Sequence, residues 1–433
     1  MAGRTGARLI FSLVVFCLVA ELFGLAAYYI DTGALFYVHR KVYSELLPAP
    51  QDRLVVGEAL HPYFGPTHRP GTPFDIPASL RGGTAVPERM TTNNFGFVSP
   101  HDYPFVKTSE DQVVLGMFGG SVGAWFCQIG APRLVDQLRA DPYFKDREIV
   151  PLCFAHEGYK QPQQALVLAY FLSIGQAYDL VVNIDGFNDV ALAALNNQQG
   201  LDISMPSVQH LDPLIALVNR SALTPEKLES LAAIVRDRQT LMALAGRMAA
   251  NRSAAVNVVL DWYYRRASAR YSRELGRFSN LPANPPENAL IQATPSTQER
   301  EGPVVFSDIA DLWSDASLLM DQMVEARGGA YFHFLQPNQY FTMRRFGSAE
   351  AATAINAASP YKTSIENGYP ALIAAAPKLT DAGVAFVDAT GVFDRVDAAV
   401  YMDDCCHYTL EGNRALADLI AASILATPGP WKP

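Results

Sequence analysis

Short apolar runs and helical stretches alternate along this chain. Val113 to Phe118 reads VVLGMF, is closed by Gly119 and Gly120, and is followed by helical spacing through Leu138. Ile149 to Phe154 leads to a helix opened by Pro162, whose missing N–H would have no partner in a first turn. Tyr178 to Ile184 (YDLVVNI) ends in Gly-Phe-Asn-Asp. The pattern resumes later with a helix over 307–326, a strand over 330–335, a helix over 364–379 and a strand over 384–387. A last helix covers 410–425, with Leu416, Leu419, Ile420 and Ile424 at helical spacing. Short apolar runs bounded by turn residues are strands buried on both faces. Strands alternating with helices specify an α/β fold, a parallel sheet covered on both sides and joined by right-handed crossovers.

The interruption, roughly 190–303, is mostly helical and too long for a loop, since structureless connections above ~12–15 residues are uncommon in compact domains. It reads as a helical insertion. Between Arg236 and Arg277 it holds nine arginines against three acids, Asp237, Asp261 and Glu274. Such runs are usually solvated helix faces. The alternative is a surface for lipid headgroups, an anionic polymer or a protein partner. Residues 31–110 are rich in Pro, Gly and aromatics, as in HPYFGPTHRPGTPF, without sustained period. They read as an irregular arm or stalk leading onto the main domain, 111–433.

Leu9 to Ile30 is a run of 22 residues with one charged side chain, Glu21. At ~1.5 Å per residue it spans a ~30 Å hydrocarbon layer, so 1–30 is expected to be a transmembrane anchor. A cleaved signal peptide is the competing reading, but its apolar core is usually only ~7–15 residues. Arg4 and Arg8 precede the run while Arg40 and Lys41 follow it, so charge alone leaves orientation nearly balanced. A short basic N-terminus ahead of a lone first helix usually stays inside, which sends the rest of the chain to the periplasmic or extracellular side. Glu21 reads either as a tolerated acid or as a polar contact to a partner helix, and the anchor is another possible route to a protein partner. The net charge of −9, from 34 basic and 43 acidic residues, excludes a nucleic-acid binder. Cys127, Cys153, Cys405 and Cys406 lie outside the membrane segment, and their spacing fixes no connectivity.

The polar clusters fall at the carboxyl ends of the expected strands, where open parallel sheets place their sites. FGGSVG puts Ser121 at a strand-to-helix turn, with Gly119 and Gly120 supplying backbone freedom. AHEGYKQP puts Gly158 in a loop whose N–H is free to donate, and DGFND puts the Asn188 amide at the same edge. MDDCCHYTLEGN places Asp404 three residues before His407, a spacing that lets a carboxylate accept the imidazole Nδ1–H and leaves Nε2 to take a serine proton. His156, Gln336 and Asn338 are candidate substrate-lining residues, and Asp189 is read as ordering its loop. No residue pattern calls for a cofactor. Metal binding is not expected either, because consecutive Asp404, Cys405, Cys406 and His407 cannot readily all face one ion.

This ordered set resembles the SGNH, or GDSL-type, hydrolase superfamily, whose four blocks carry Ser, Gly, Asn and His. The resemblance covers about 113–189 and 306–426 and implies a flavodoxin-like three-layer α/β/α sheet. By it Ser121 would be the nucleophile, His407 the base and Asp404 its orienting acid. The Ser121 N–H, the Gly158 N–H and the Asn188 side chain would form the oxyanion hole. Gly120 stands where the family usually has Asp, and Cys405 and Cys406 have no family role; they read as ordinary side chains, with a redox-sensitive lock on the loop as the alternative. The implied activity is a serine esterase that removes acetyl or another small acyl group from a glycan or lipid. An O-acyltransferase acting on a polysaccharide, or a non-catalytic membrane-complex subunit, are the other readings of the same set.

Overall fold

The computed structural model describes residues 2–38, 58–81, 86–215, 224–281, 291 and 297–432. Arg40 and Lys41, which bear on orientation, lie outside them. Contacts divide the chain into two compact units, Met1–Val55 with Asn219–Ala289, and Val56–Val218 with Leu290–Pro433.

The first unit is helical. Helix α1 (Ala2–Thr32) contains the segment Phe11–Thr32, long and apolar enough to cross a membrane.

The second unit begins with two small antiparallel ladders, β1 (Glu58–His61) with β2 (Gly65–His68) and β3 (Pro73–Asp75) with β4 (Arg89–Thr91), and short helix α2 (Ala78–Arg81) lies between the strands of the latter. Then come β5 (Gln112–Gly119), α3 (Ser121–Ile129), α4 (Ala131–Leu138), α5 (Pro142–Lys145), β6 (Glu148–Cys153), α6 (Gln163–Ser173), β7 (Leu180–Asp185), α7 (Phe187–Gln198) and α8 (Val208–Ile215). The first unit resumes with α9 (Pro225–Ala250) and α10 (Ala254–Asn280). The second closes with α11 (Pro303–Glu325), β8 (Ala330–Leu335), α12 (Ser348–Ala354), α13 (Lys362–Asp381), β9 (Ala385–Asp388) and α14 (Leu410–Ala426).

The five strands β6-β5-β7-β8-β9 form one sheet in that order, every neighbour parallel. This is the flavodoxin-like three-layer α/β/α arrangement, because β5 is followed first by the strand on one side of it and then by the strand on the other. Its central residues are apolar on both faces: Val114, Leu115, Val181, Val182 and Phe334 are fully buried. The strand order reverses at β5, and in open parallel sheets sites lie at the carboxyl ends of the strands at such a switch point.

Two expectations about organisation need correction. The stretch read as an arm or stalk is, from Glu58 onward, part of the second unit. Phe64, Phe97 and Tyr103 belong to its main core, with Tyr103 stacked on Phe154 at 4.4 Å between ring centroids. Periodicity detects regular elements, and irregular chain that buries isolated aromatics carries no period to detect. The insertion at about 190–303 also divides: 187–215 stays with the sheet, whereas α9 and α10 group with α1.

In that first unit α9 and α10 form an antiparallel hairpin around Leu241, Ala245, Met248, Tyr264 and Ala267. Ser253 caps α10 by accepting from Val256 N–H, and Thr224 caps α9 by accepting from Lys227 N–H.

Candidate active site

Gly119 ends β5 at φ +147°, and a β-carbon there would stand 2.3 Å from the Ile184 carbonyl oxygen. Only glycine turns the chain at this point. Ser121 opens α3 directly afterwards, so its N–H is one of the first-turn donors without an intrahelical partner. Its hydroxyl is 2.8 Å from His407 Nε2. Both side chains are half-buried, open to solvent on one side.

The acid behind His407 is Asp403, not Asp404. Asp403 Oδ2 lies 2.5 Å from His407 Nδ1, while Oδ1 accepts from the N–H groups of Cys405, Cys406 and His407 at 3.0, 3.0 and 3.2 Å. A carboxylate that gathers three successive backbone donors curls the chain into a tight turn, and from that turn a residue four positions on, not three, swings its ring back. Burial works to raise the Asp403 pKa, but the hydrogen bond and charge of His407 and the backbone donors outweigh it and hold the group below the usual carboxylate range. Asp404 faces the other way, accepting from Asn356 Nδ2 at 2.7 Å.

Asn188 Nδ2 donates to the Tyr159 carbonyl at 2.8 Å, which leaves its second N–H available. This amide stands against Gly120: a β-carbon there would lie 2.1 Å from Asn188 Nδ2 and 3.0 Å from the Tyr159 oxygen. The absence of an acidic side chain at position 120 thus has a steric reason, and the contact puts the Asn188 amide beside the residue preceding Ser121. Gly158 sits one residue before Tyr159 at φ +77°, with the His210 ring filling the space a β-carbon would need. Asp189 ties these loops together, accepting from Gln161 N–H at 2.7 Å and Gly186 N–H at 3.0 Å. Burial, with the nearby Asp185 charge, pushes its pKa up to about 7.

The three residues read as substrate-lining are all buried. His156 is 1% exposed, packed between His68 and Tyr159 at 4.2 and 5.0 Å, and burial pulls its pKa down to about 4. Asn338 is fully buried and donates to the Cys405 carbonyl at 3.2 Å. Gln336 is buried too, its backbone N–H donating to the Asp185 carbonyl and its backbone carbonyl accepting from the Tyr369 hydroxyl. The loop after β8 is a brace: Asn338, Gln339 and Tyr340 grip the carbonyls of Cys405, Asp403 and Asp404. In sequence these residues carry no distinguishing signal beyond lying near a strand end, and Asp403 none beyond lying close before His407.

Cys127 in α3 and Cys153 at the end of β6 form a disulfide. Cys405 and Cys406 hold their sulfurs 3.1 Å apart without a bond. Cys405, Cys406 and His407, in the turn that Asp403 holds, bring donor atoms within 4.8 Å of one another. Both His407 nitrogens are nevertheless engaged, with Asp403 and Ser121. The second such group, His68, His156 and Glu157, is joined internally by the His68 Nε2 to Glu157 Oε2 contact of 3.0 Å.

No protein-family model matches the chain, and no curated protein matches it. Among solved structures it is similar to a lipase/acylhydrolase from Enterococcus faecalis, with 10% sequence identity and a TM-score of 0.33 over 72% of this chain and 96% of that one.

Proposed function

We propose that the protein is a serine-type ester hydrolase, anchored in a membrane by α1 and working outside the cytoplasm on an acylated glycan or lipid. The observation that carries this reading is the chain of contacts from Ser121 Oγ to His407 Nε2 at 2.8 Å and from His407 Nδ1 to Asp403 at 2.5 Å. Ser121 O–H donates to Nε2, so attack on an ester carbonyl passes the hydroxyl proton to His407 as the new C–O bond forms. The Ser121 N–H, the Gly158 N–H and the free Asn188 N–H are the donors for the resulting oxyanion. Collapse of the tetrahedral intermediate breaks the bond to the leaving alkoxide, which takes the proton from Nε2. Water then repeats the cycle on the acyl-enzyme and releases the acid. Asp403, ionised well below neutral pH, keeps the imidazole in the required tautomer throughout.

The half-exposed Ser121 favours this over a non-catalytic subunit, where a blocked serine would be expected. The Cys127–Cys153 disulfide fits an oxidising compartment. The test is covalent labelling by a fluorophosphonate together with turnover of an activated acetate ester: wild type should show both and Ser121→Ala neither. Labelling or turnover that persists unchanged in Ser121→Ala would overturn the assignment.

A further inference from the structure

From Phe11 to Val19 every α1 side chain is exposed. The second half of the helix is different. There the Glu21 carboxylate, the single charge in the apolar run, closes the start of α10. It accepts from Ser253 Oγ at 2.5 Å, from Ala254 N–H at 2.6 Å, from Ala255 N–H at 3.3 Å and from the Tyr37 hydroxyl at 2.5 Å. An anion at a helix N-terminus meets the positive end of the helix dipole and satisfies donors that have no partner within the helix.

One turn further, Gly24 lies against the backbone of α10, where a β-carbon would come within 2.2 Å of Ala255 N. Tyr28 and Phe36 pack with Ala254, and Asp31 pairs with Arg265. The two helices therefore run side by side in the same direction, Glu21 to Asp31 against Ala254 to Arg265. A segment built to be cut away would leave the first turn of α10 without its carboxylate.

Among the described residues, another face of α10 is apolar and half-exposed. Val256, Val259, Trp262 and Tyr263 are 48, 54, 50 and 53% exposed. Beyond them Arg265, Arg266, Arg270, Arg273 and Arg277 are all exposed, and Arg266 lies over the Trp262 ring at 4.5 Å. Moving outward along α1, the neighbouring helix thus presents aliphatic, then aromatic, then basic side chains. That is the order of acyl chains, interface and phosphate headgroups across one leaflet. Arg247 and Arg252 are also exposed near the turn between α9 and α10, where Glu21 bonds Ser253, so the tip itself carries charge.

We propose that the α9–α10 hairpin is a membrane-seated wedge: its tip lies in the leaflet crossed by the second half of α1, with Val256 and Val259 among acyl chains, Trp262 and Tyr263 at the interface, and the following arginines on anionic headgroups. The inference rests on α1 being a retained membrane helix and is independent of the chemistry at Ser121.

The experiment uses the full-length chain in bilayers of phosphatidylcholine with a minority of phosphatidylglycerol. The emission of Trp262 is isolated by subtracting that of Trp262→Tyr, because the chain has four tryptophans. Lipids brominated near the headgroup should quench this emission about twofold or more, lipids brominated at the chain end less, and aqueous iodide little. Trp262 emission that iodide quenches and brominated lipid leaves unchanged would overturn the wedge. Equal quenching with phosphatidylglycerol omitted would refute its anionic preference. Intact mass and alkaline extraction of the same sample report on α1: its loss would sink the membrane reading itself, whereas retained α1 with unquenched Trp262 sinks the wedge alone. Neither result bears on ester turnover.

Discussion

Asp403 and Asp404 are adjacent, equally acidic and within reach of His407 by spacing, yet their environments assign them opposite duties. Asp403→Asn retains an acceptor for Nδ1–H in one amide orientation but loses the charge that stabilises an imidazolium, and kcat should fall by about 10³–10⁴. Asp404→Asn keeps an acceptor for Asn356 and should leave kcat within a few-fold; kinetics on an activated ester compare the two directly. Asn188→Ala should cost about 10²–10³ in kcat with little change in KM, as expected for a donor used in the transition state. His156 gives a pH signature. Folded, it stays neutral down to about 4, whereas the unfolded chain takes up its proton near the ordinary 6.5. Stability should therefore fall as pH drops from 6.5 to 4, by up to about 3 kcal/mol in all. Thermal unfolding in detergent across that window should show a flatter profile for His156→Phe, which keeps the ring and removes the titration. Ser121 and Asn188 could be singled out in the sequence because each stands at the start of a helix directly after an apolar strand, and His407 because it closely precedes the last helix. The sequence could not separate Asp403 from Asp404, since that choice depends on which carboxylate collects the backbone donors of the turn.

At the level of elements, the strand-helix alternation was readable because buried parallel strands are largely apolar, with Asn183, Asp185 and His333 as buried exceptions; the expected strand at 330–335 coincides with Ala330–Leu335. The irregular connections were not readable, and these hold the site together. Arg344 and Glu350 form a buried ion pair that also holds backbone: Arg344 donates to the carbonyls of Phe393, Val396 and Ala398, and Glu350 accepts from Val400 and Tyr401. This pair fixes the segment leading into the Asp403 turn. Arg344→Met would strand the Glu350 charge and three carbonyls, and should cost about 3–5 kcal/mol, read as a fall in the unfolding midpoint. The Cys127–Cys153 bond closes a loop with a sequence separation of 26 and joins the helix that opens at Ser121 to β6. On chain entropy alone it contributes about 3 kcal/mol. Reductant should lower the unfolding temperature of the wild type and leave that of a Cys127→Ala, Cys153→Ala double variant unchanged.

For the molecule as a whole, the division into units separates the candidate site from the apolar helix. The sheet, Ser121, Asn188, Asp403, His407 and the disulfide all belong to Val56–Val218 with Leu290–Pro433, whereas the apolar helix and the basic hairpin belong to Met1–Val55 with Asn219–Ala289. Each unit has its own core, the large one around the sheet and a smaller one between α9 and α10. A unit with its own core and a complete set of reacting groups is expected to fold and act alone. A chain joining Val56–Val218 to Leu290–Pro433 through a short Gly/Ser linker should therefore stay soluble without detergent and keep kcat/KM on a water-soluble ester within about tenfold of the full chain. On an acyl donor embedded in a bilayer the same fragment should lose far more, because nothing then holds it at the surface where substrate is concentrated. Comparing both substrates on both proteins separates the two roles: an equal loss on each would mean that the membrane unit shapes the site itself rather than delivering it.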